Sequence, residues 1–329
     1  MQNIKQNIKQ RKILGVRVDF LNSTEVIKSV EDFLDSRQLE IGSTSCVEEF
    51  LTEGSCAEGD CRTANCVEKN IPIPLLCTTN PEFIMTAQKD LEFKNIINGS
   101  FLSVPDGSGV LFANYFLSRR SYLVKGSDPA NGSDLTNGSD GSRFVGLGER
   151  VGGADLIYEI SALAERRGYS VFLLGGWPKD FWGRTIKSPG YDLAEKAADT
   201  LRRMYPRLNI IGATSQFGPN FADDDKTLDY IRTCMKRKAA QHIDIVYVCY
   251  GHPRQEKWVF RNMSKIPAGL GVGLGGTFDY IAGIKRRCPK FLADIHLEWL
   301  FRLVTQPWRF KRIVTSFLLF PIKVILSHS

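Results

Sequence analysis

The sequence predicts an α/β fold, a mostly parallel sheet with helices on both faces, followed by a basic helical C-terminal appendage. Three observations carry this reading. Short apolar runs suited to buried strands alternate with stretches of helical period; glycine pairs or polar residues follow several of those runs; and the net charge of +7 is concentrated at one end. Residues 285–329 hold nine Lys and Arg against two acids, so residues 1–284 are close to neutral. We therefore divide the chain into an α/β domain over 1–284 and a basic amphipathic appendage over 285–329. A basic end rich in Trp, Phe and Leu favours an anionic membrane surface over nucleic acid as its partner. With 329 residues, 43% of them hydrophobic, the chain can bury a full core.

Taken in order, a first strand is read at 13–18. A helix capped near Asn22, Ser23 or Thr24 follows, with Val26, Ile27, Val30, Phe33 and Leu34 on one face. Periodicity then fails over 36–70, where Cys46, Cys56, Cys61 and Cys66 have gaps of nine, four and four residues, unlike the two-residue knuckle of a structural zinc site. This stretch is read as a surface insertion. A buried strand at 75–77 runs into Thr78-Thr79-Asn80-Pro81, in which Asn80 is a good N-cap and Pro81 a good first residue for a helix over 81–89. Asn80 has two readings: a helix cap, or with Thr78 a polar group at the carboxyl end of a strand, where open α/β sheets place ligands.

A strand over 101–104 ends in Pro105-Asp106-Gly107. Proline stiffens the approach and glycine relieves the exit, so Asp106 is presented on a rigid turn. Pro-Asp-Gly is also a common surface turn. After a helix over 109–117, residues 118–142 form a second insertion of Gly, Ser, Asp and Asn, too polar to build core. A helix runs to 164. Strands at 171–174, 209–212, 243–250 and 270–274 then alternate with helices at 193–204, 227–240 and 254–263, with a third insertion over 179–191.

Gly175-Gly176 and Gly275-Gly276 suit either tight turns or backbone amides near a phosphate. Gln255 and Glu256 stand in the first turn of a helix; they suit contacts to a base or ribose, or else solvent and helix-end electrostatics. Asp223-Asp224-Asp225 is read as a solvated charge cluster ahead of a helix. Arg302 and Arg309 lie seven apart and Arg312 three further, so a helix would gather them on one side, as a headgroup or diphosphate site or as the basic rim of a packed terminal helix. The four histidines form no ligand set, and neither His-Glu-x-x-His nor Cys-x-x-Cys occurs, so no metal or cofactor is expected.

The polar N-terminus does not read as a signal peptide, and the run 313–326 is short for a membrane span and broken by Pro321 and Lys323. A protein peripheral on the inner face of the cytoplasmic membrane is expected, with its eight cysteines as free thiols.

Seven motifs, in order, resemble the WecG/TagA/CpsF glycosyltransferase family: Thr78-x-Asn80, Pro105-Asp106-Gly107, Gly148-Glu149-Arg150-Val151, Phe172-Leu173-Leu174-Gly175-Gly176, Pro253-Arg254-Gln255-Glu256-Lys257-Trp258, Gly273-Leu274-Gly275-Gly276-Thr277-Phe278-Asp279-Tyr280, and Leu297-Glu298-Trp299-Leu300-Phe301-Arg302-Leu303. The resemblance covers the chain from about Lys12 onward, outside the three insertions. It implies a Rossmann-like enzyme that inverts the anomeric centre without a metal, moving a sugar, N-acetylmannosamine above others, from a UDP-sugar to an undecaprenyl-diphosphate-linked sugar in cell-surface polysaccharide synthesis. By the same resemblance Asp106 matches the general base, Thr78 and Asn80 positions beside the sugar, Arg150 a residue near the diphosphate, and Gln255, Glu256 and Asp279 the nucleotide side. Arg302, Arg309 and Arg312 match an appendage that docks at the membrane and helps to close the site. The chain departs from the family pattern at Cys249-Tyr250-Gly251-His252, where a glycine-rich run is usual, and at Gly152, where threonine is common. Rival readings are an α/β dinucleotide oxidoreductase, which lacks its G-x-G-x-x-G here, and a non-catalytic membrane-surface protein. The sequence leaves homo-oligomerisation open.

Overall fold

A computed structural model describes residues 10–42, 72–125, 149–177, 182, 184–185, 190–289 and 298–327. The readings placed on Cys46, Cys56, Cys61 and Cys66, and most of those on the second and third insertions, lie outside the described residues.

The chain opens with β1 (Gln10–Ile13) and β2 (Val16–Asp19), an antiparallel pair, instead of the single strand read over 13–18. The turn between them places Leu14 at φ 50° and Gly15 at φ 77°, and this reversal splits an otherwise continuous apolar run. Helix α1 (Ser23–Gly42) starts in a capping box: the Asn22 side chain accepts from the Glu25 amide at 2.8 Å, and the Glu25 carboxylate accepts from the Asn22 amide at 2.8 Å. The helix carries on to Gly42, past the predicted start of the first insertion.

The remaining strands are β3 (Ile73–Thr79), β4 (Ser100–Pro105), β5 (Ser170–Leu174), β6 (Asn209–Thr214), β7 (Ile243–Val248) and β8 (Ala268–Gly273). They form one parallel sheet in the order β4-β3-β8-β7-β5-β6. Between them run α2 (Pro81–Ala87), α3 (Leu91–Gly99), α4 (Ser108–Lys125), α5 (Gly153–Arg167), α6 (Leu193–Met204), α7 (Phe221–Arg237), α8 (Arg254–Asn262) and α9 (Thr277–Ile281). Helix α3, which periodicity did not reveal, begins at Asp90, whose carboxylate accepts from the Phe93 amide at 3.0 Å. Helix α4 reaches into the predicted second insertion. Helix α7 begins at Phe221, ahead of the predicted start, so Asp223 and Asp224 lie within its first turn.

Successive strand residues alternate between two apolar cores, one on each sheet face. Leu173, Tyr247 and Val272 point to the core shared with α1, α5, α6 and α9. Phe172, Leu174, Val246 and Val248 point to the core shared with α2, α3, α4, α7 and α8. The hairpin β1-β2 lies beside the outer strand β4. There the Ser103 amide donates to the buried Asp19 carboxylate at 2.8 Å, and the Arg17 guanidinium donates to the Ser100 carbonyl at 2.6 Å, so that edge of the sheet is partly covered.

The C-terminal region is helical, as α10 (Glu298–Thr305), α11 (Phe310–Val314) and α12 (Phe320–Leu326), the last two joined by a π turn over Thr315–Leu319. Pro307 interrupts it: Gln306 is driven to φ −142°, ψ 69°, and a short 3₁₀ turn separates α10 from α11. Arg302 thus stands on a different helix from Arg312, so the continuous helix expected through Arg302, Arg309 and Arg312 is broken. Phe320 and Val324 are buried in the core against α2 and α4, and the Arg120 guanidinium donates to the Ser327 carbonyl at 3.1 Å. No helix among the described residues is long and apolar enough to cross a membrane.

Candidate active site

Strand register places the candidate residues on one rim. Thr79 pairs with Pro105, Cys77 with Gly273, Val248 with Gly273, and Leu174 with both Val248 and Thr214, so the next residue of each strand emerges along the same carboxyl edge. Helices leave β3 and β8, which are neighbours, toward opposite cores, the arrangement at which open α/β sheets place their ligands.

Asp106 stands on the β4 side of this rim. Its amide donates to the Thr79 carbonyl at 2.8 Å, which ties the turn to β3. The turn packs on α2: Gly107 is at φ 107°, and a Cβ on Gly109 would lie 2.7 Å from Pro81 Cγ, so the Asp106 loop approaches α2 as closely as it does because a glycine stands at 109. The Arg150 guanidinium sits 3.6 Å from Asp106 Oδ1, with side-chain exposures of 42% and 27%. The Val151 amide donates to the Pro105 carbonyl at 2.9 Å, and this backbone bond brings the chain ahead of α5 back to the turn. Gly152 lies between these groups; a Cβ there would be 4.0 Å from both Asp106 Oδ1 and an Arg150 terminal nitrogen. The result is a partly exposed carboxylate with a cation beside it, next to the N-terminus of a fifteen-residue helix.

Thr78 is buried. Its hydroxyl donates to the Gly273 carbonyl at 3.1 Å and packs against Gly153 at the start of α5, joining β3, β8 and α5. Asn80 does what its capping reading requires, its Oδ1 accepting from the Glu82 and Phe83 amides at 3.0 and 3.1 Å.

The solvent reading of Gln255 is overturned. Gln255, placed in solvent by one of its two readings, is 1% exposed. Its Oε1 accepts from the amides of Gly251, at 3.1 Å, and Gly275, at 2.9 Å, bracing the turns that follow β7 and β8. Its Nε2 donates to Glu256 Oε1 at 2.6 Å. Glu256 is wholly buried, and burial pushes its carboxyl up to about 7. With Gly275 engaged by Gln255, and the Gly175 amide donating to the Thr214 carbonyl at 2.8 Å, the first amide of each glycine pair is taken up by the protein, in keeping with the tight-turn reading. The Tyr250 ring packs directly on Gly175, where an added Cβ would meet it at 2.6 Å. The departure at Cys249-Tyr250-Gly251-His252 is therefore a packed wall of the rim.

Asp279 lies in α9, 6% exposed, its carboxylate paired with Lys285. The Asp223-Asp224-Asp225 cluster is not wholly solvated: Asp224 is buried, and its carboxylate accepts from Arg261 at 3.0 and 3.2 Å. Its packing against α8 decided this, which the charge run could not reveal. Arg309 lies over the Trp308 ring, 4.9 Å from its centroid. Arg312 pairs with Glu82 in the first turn of α2, its Nε donating at 2.7 Å. His252, in the loop after β7, faces the same Glu82 at 3.7 Å and lies tilted against the Phe83 ring. Burial depresses this imidazole to about 4, so it is neutral at physiological pH. Glu82, His252 and Lys285 were not marked as site residues from the sequence; Glu82 carried a signal as an acid directly after Asn80-Pro81, and His252 as part of the departure Cys249-Tyr250-Gly251-His252. No three His, Cys, Asp or Glu side chains among the described residues gather as a metal site would require.

The chain matches the Glycosyl transferase WecG/TagA/CpsF family over residues 57–136 and 141–328. Two relatives carry the name N-acetylglucosaminyldiphosphoundecaprenol N-acetyl-beta-D-mannosaminyltransferase. The protein from Bacillus subtilis (strain 168) is 27% identical over 241 residues, 73% of this chain and 75% of the relative. The protein from Bacillus spizizenii (strain ATCC 23059 / NRRL B-14472 / W23) is 25% identical over 240 residues, 73% and 74% of the two chains. An Asp-Arg pair on the carboxyl rim of a parallel sheet and a family match across most of the chain lead to one statement: this protein belongs to the WecG/TagA/CpsF family and is a glycosyltransferase.

Proposed function

We propose that the protein transfers N-acetylmannosamine from a UDP donor to undecaprenyl-diphosphate-linked N-acetylglucosamine, at the inner surface of the cytoplasmic membrane and with inversion at the anomeric carbon. The observation that carries this reading is Asp106: a carboxylate held on a rigid turn, partly open to solvent, at the carboxyl rim of the sheet. Asp106 takes the proton from the acceptor hydroxyl as its oxygen attacks the anomeric carbon, and the bond to UDP breaks on the opposite face. A general base of this kind needs hydrogen-bond reach to the hydroxyl and contributes roughly 10²–10⁴-fold. Arg150 and the N-terminal end of α5 supply positive potential along the same rim, which favours the negative charge that develops on the leaving diphosphate across the sugar from Asp106. Gln255 holds the two turns that shape the nucleotide side.

Membrane association is supported by α11, α12 and the π turn between them. Phe317, Leu318, Ile322 and Ile325 are exposed there beside the exposed Lys311 and Lys323, the composition of a helix that lies in a lipid interface.

The test uses purified protein, an undecaprenyl-type acceptor and a panel of UDP-sugars, with EDTA present, comparing wild type with Asp106→Asn. Transfer of N-acetylmannosamine by the wild type and a loss of at least about 100-fold in kcat for the variant are expected. Full activity in the variant would remove Asp106 as the base; transfer of a different sugar would replace the donor and leave the mechanism standing.

A further inference from the structure

We infer that Glu82 is a positioning residue that seats the C-terminal appendage against the catalytic rim, with Arg312 as its latch and not a ligand of the acceptor diphosphate. The inference rests on the glycosyl transfer proposed above.

Three chain segments meet at the Glu82 carboxylate. From the appendage, Arg312 brings Nε to 2.7 Å and a terminal nitrogen to 2.6 Å of Oε2. From the loop after β7, His252 brings Nε2 to 3.7 Å of Oε1. Glu82 itself is the second residue of α2, whose first amides are already capped by Asn80. The carboxylate is therefore not needed to satisfy the helix end and is turned to the appendage. His252 is held by rings on one side, its centroid 4.6 Å from Phe83, and it is buried and neutral, while Arg312 pairs with Glu82 as a cation. Arg309 and Arg254 add positive potential around the same imidazole.

The contact is also close to the chemistry. Pro81, next to Glu82 in the chain, is the residue on which Gly107 and Gly109 pack. The latch and the contact that supports the Asp106 turn thus stand on adjacent residues. Attachment of the appendage is mainly apolar, through the buried Phe320 and Val324, and apolar burial is not directional. An ion pair with a fixed geometry supplies what burial lacks: the rotation and register with which α11 and α12 lie on α2.

The experiment is a charge-swap cycle in the full chain: Glu82→Arg, Arg312→Glu and the double variant, with Glu82→Gln as the mildest change. Two readouts are taken: KM for the lipid-linked acceptor beside kcat and KM for the donor, and the rate at which a protease cleaves within 298–327 without substrates. Each single variant is expected to raise the acceptor KM several-fold with the donor KM unchanged, and to speed cleavage; the double variant is expected to return both close to wild type. If the double variant keeps the high acceptor KM of Arg312→Glu, the Arg312 cation itself meets the acceptor and the latch assignment is overturned. If no single variant changes KM or cleavage, Glu82 has no positioning role. Should no lipid-linked acceptor be glycosylated by the wild type, the proposed reaction falls, while loss of protection in the single variants and its return in the double would still support the latch.

Discussion

Two acids stand at the carboxyl edge of the same sheet, each beside a partner, and they have opposite fates. Asp106 keeps 27% of its side chain exposed and faces a guanidinium 3.6 Å away. Glu256 is wholly buried and receives a hydrogen bond from Gln255, whose own oxygen takes two backbone amides. The first keeps part of its surface open to solvent; the second is enclosed by the protein. What separates them is position relative to the rim. Asp106 follows a proline at the end of β4, while Gln255 and Glu256 turn inward from the first turn of α8 beneath Gly273, where a Cβ would stand 2.7 Å from the Gln255 amide nitrogen. Residue type alone did not distinguish a presented carboxylate from a bracing one.

This contrast can be broken or sharpened by substitution. The largest effect is expected from Asp106→Asn, which should cost about 10²–10⁴-fold in kcat and leave the melting temperature unchanged, as kinetics and calorimetry on one preparation would show. Gln255→Ala should do the reverse in kind. It strands the Gly251 and Gly275 amides and a buried carboxyl, costing roughly 2–4 kcal/mol of stability, read by urea unfolding, with a raised donor KM as the secondary effect. A variant that lost kcat at unchanged stability would instead make Gln255 a substrate contact.

Glu256→Gln tests the pH behaviour. The folded carboxyl sits at about 7, above its ordinary value near 4.5, so the folded state binds the proton more tightly. Its stabilising contribution is then present below about 4.5 and is lost as pH rises through about 7, a change of roughly 3 kcal/mol. The variant should flatten that part of the stability profile between pH 4.5 and 7; an unchanged slope would assign it to another group. The smallest effect is expected from Arg150→Lys, which keeps the charge beside Asp106 but not the planar guanidinium, and should lower kcat by no more than about tenfold.

Much of the fold was legible because its signals are local. Asn80 and Pro81 mark the start of α2, and the helical period over 193–204 matches α6. Strands between 170 and 273 read as strands because their residues are apolar on both sides, as a sheet covered on both faces demands. The hairpin at the N-terminus was missed because Leu14 adopts φ 50°, which no residue-type preference announces for leucine. The continuous helix expected through Arg302, Arg309 and Arg312 is broken because helical spacing was carried through Pro307.

The candidate site was legible as a set of positions, not as a set of contacts. Backbone preference, period and charge are properties of neighbours in the chain, so the alternation of strands and helices, the concentration of positive charge at one end and the stiff Pro105-Asp106-Gly107 turn could be read directly from the residues. Only the tertiary structure decided that Gln255 braces two turns, that Glu256 is buried, that Asp224 pairs with Arg261 and that Arg312 meets Glu82, because each of these depends on which distant segment the folded sheet and its two cores bring alongside.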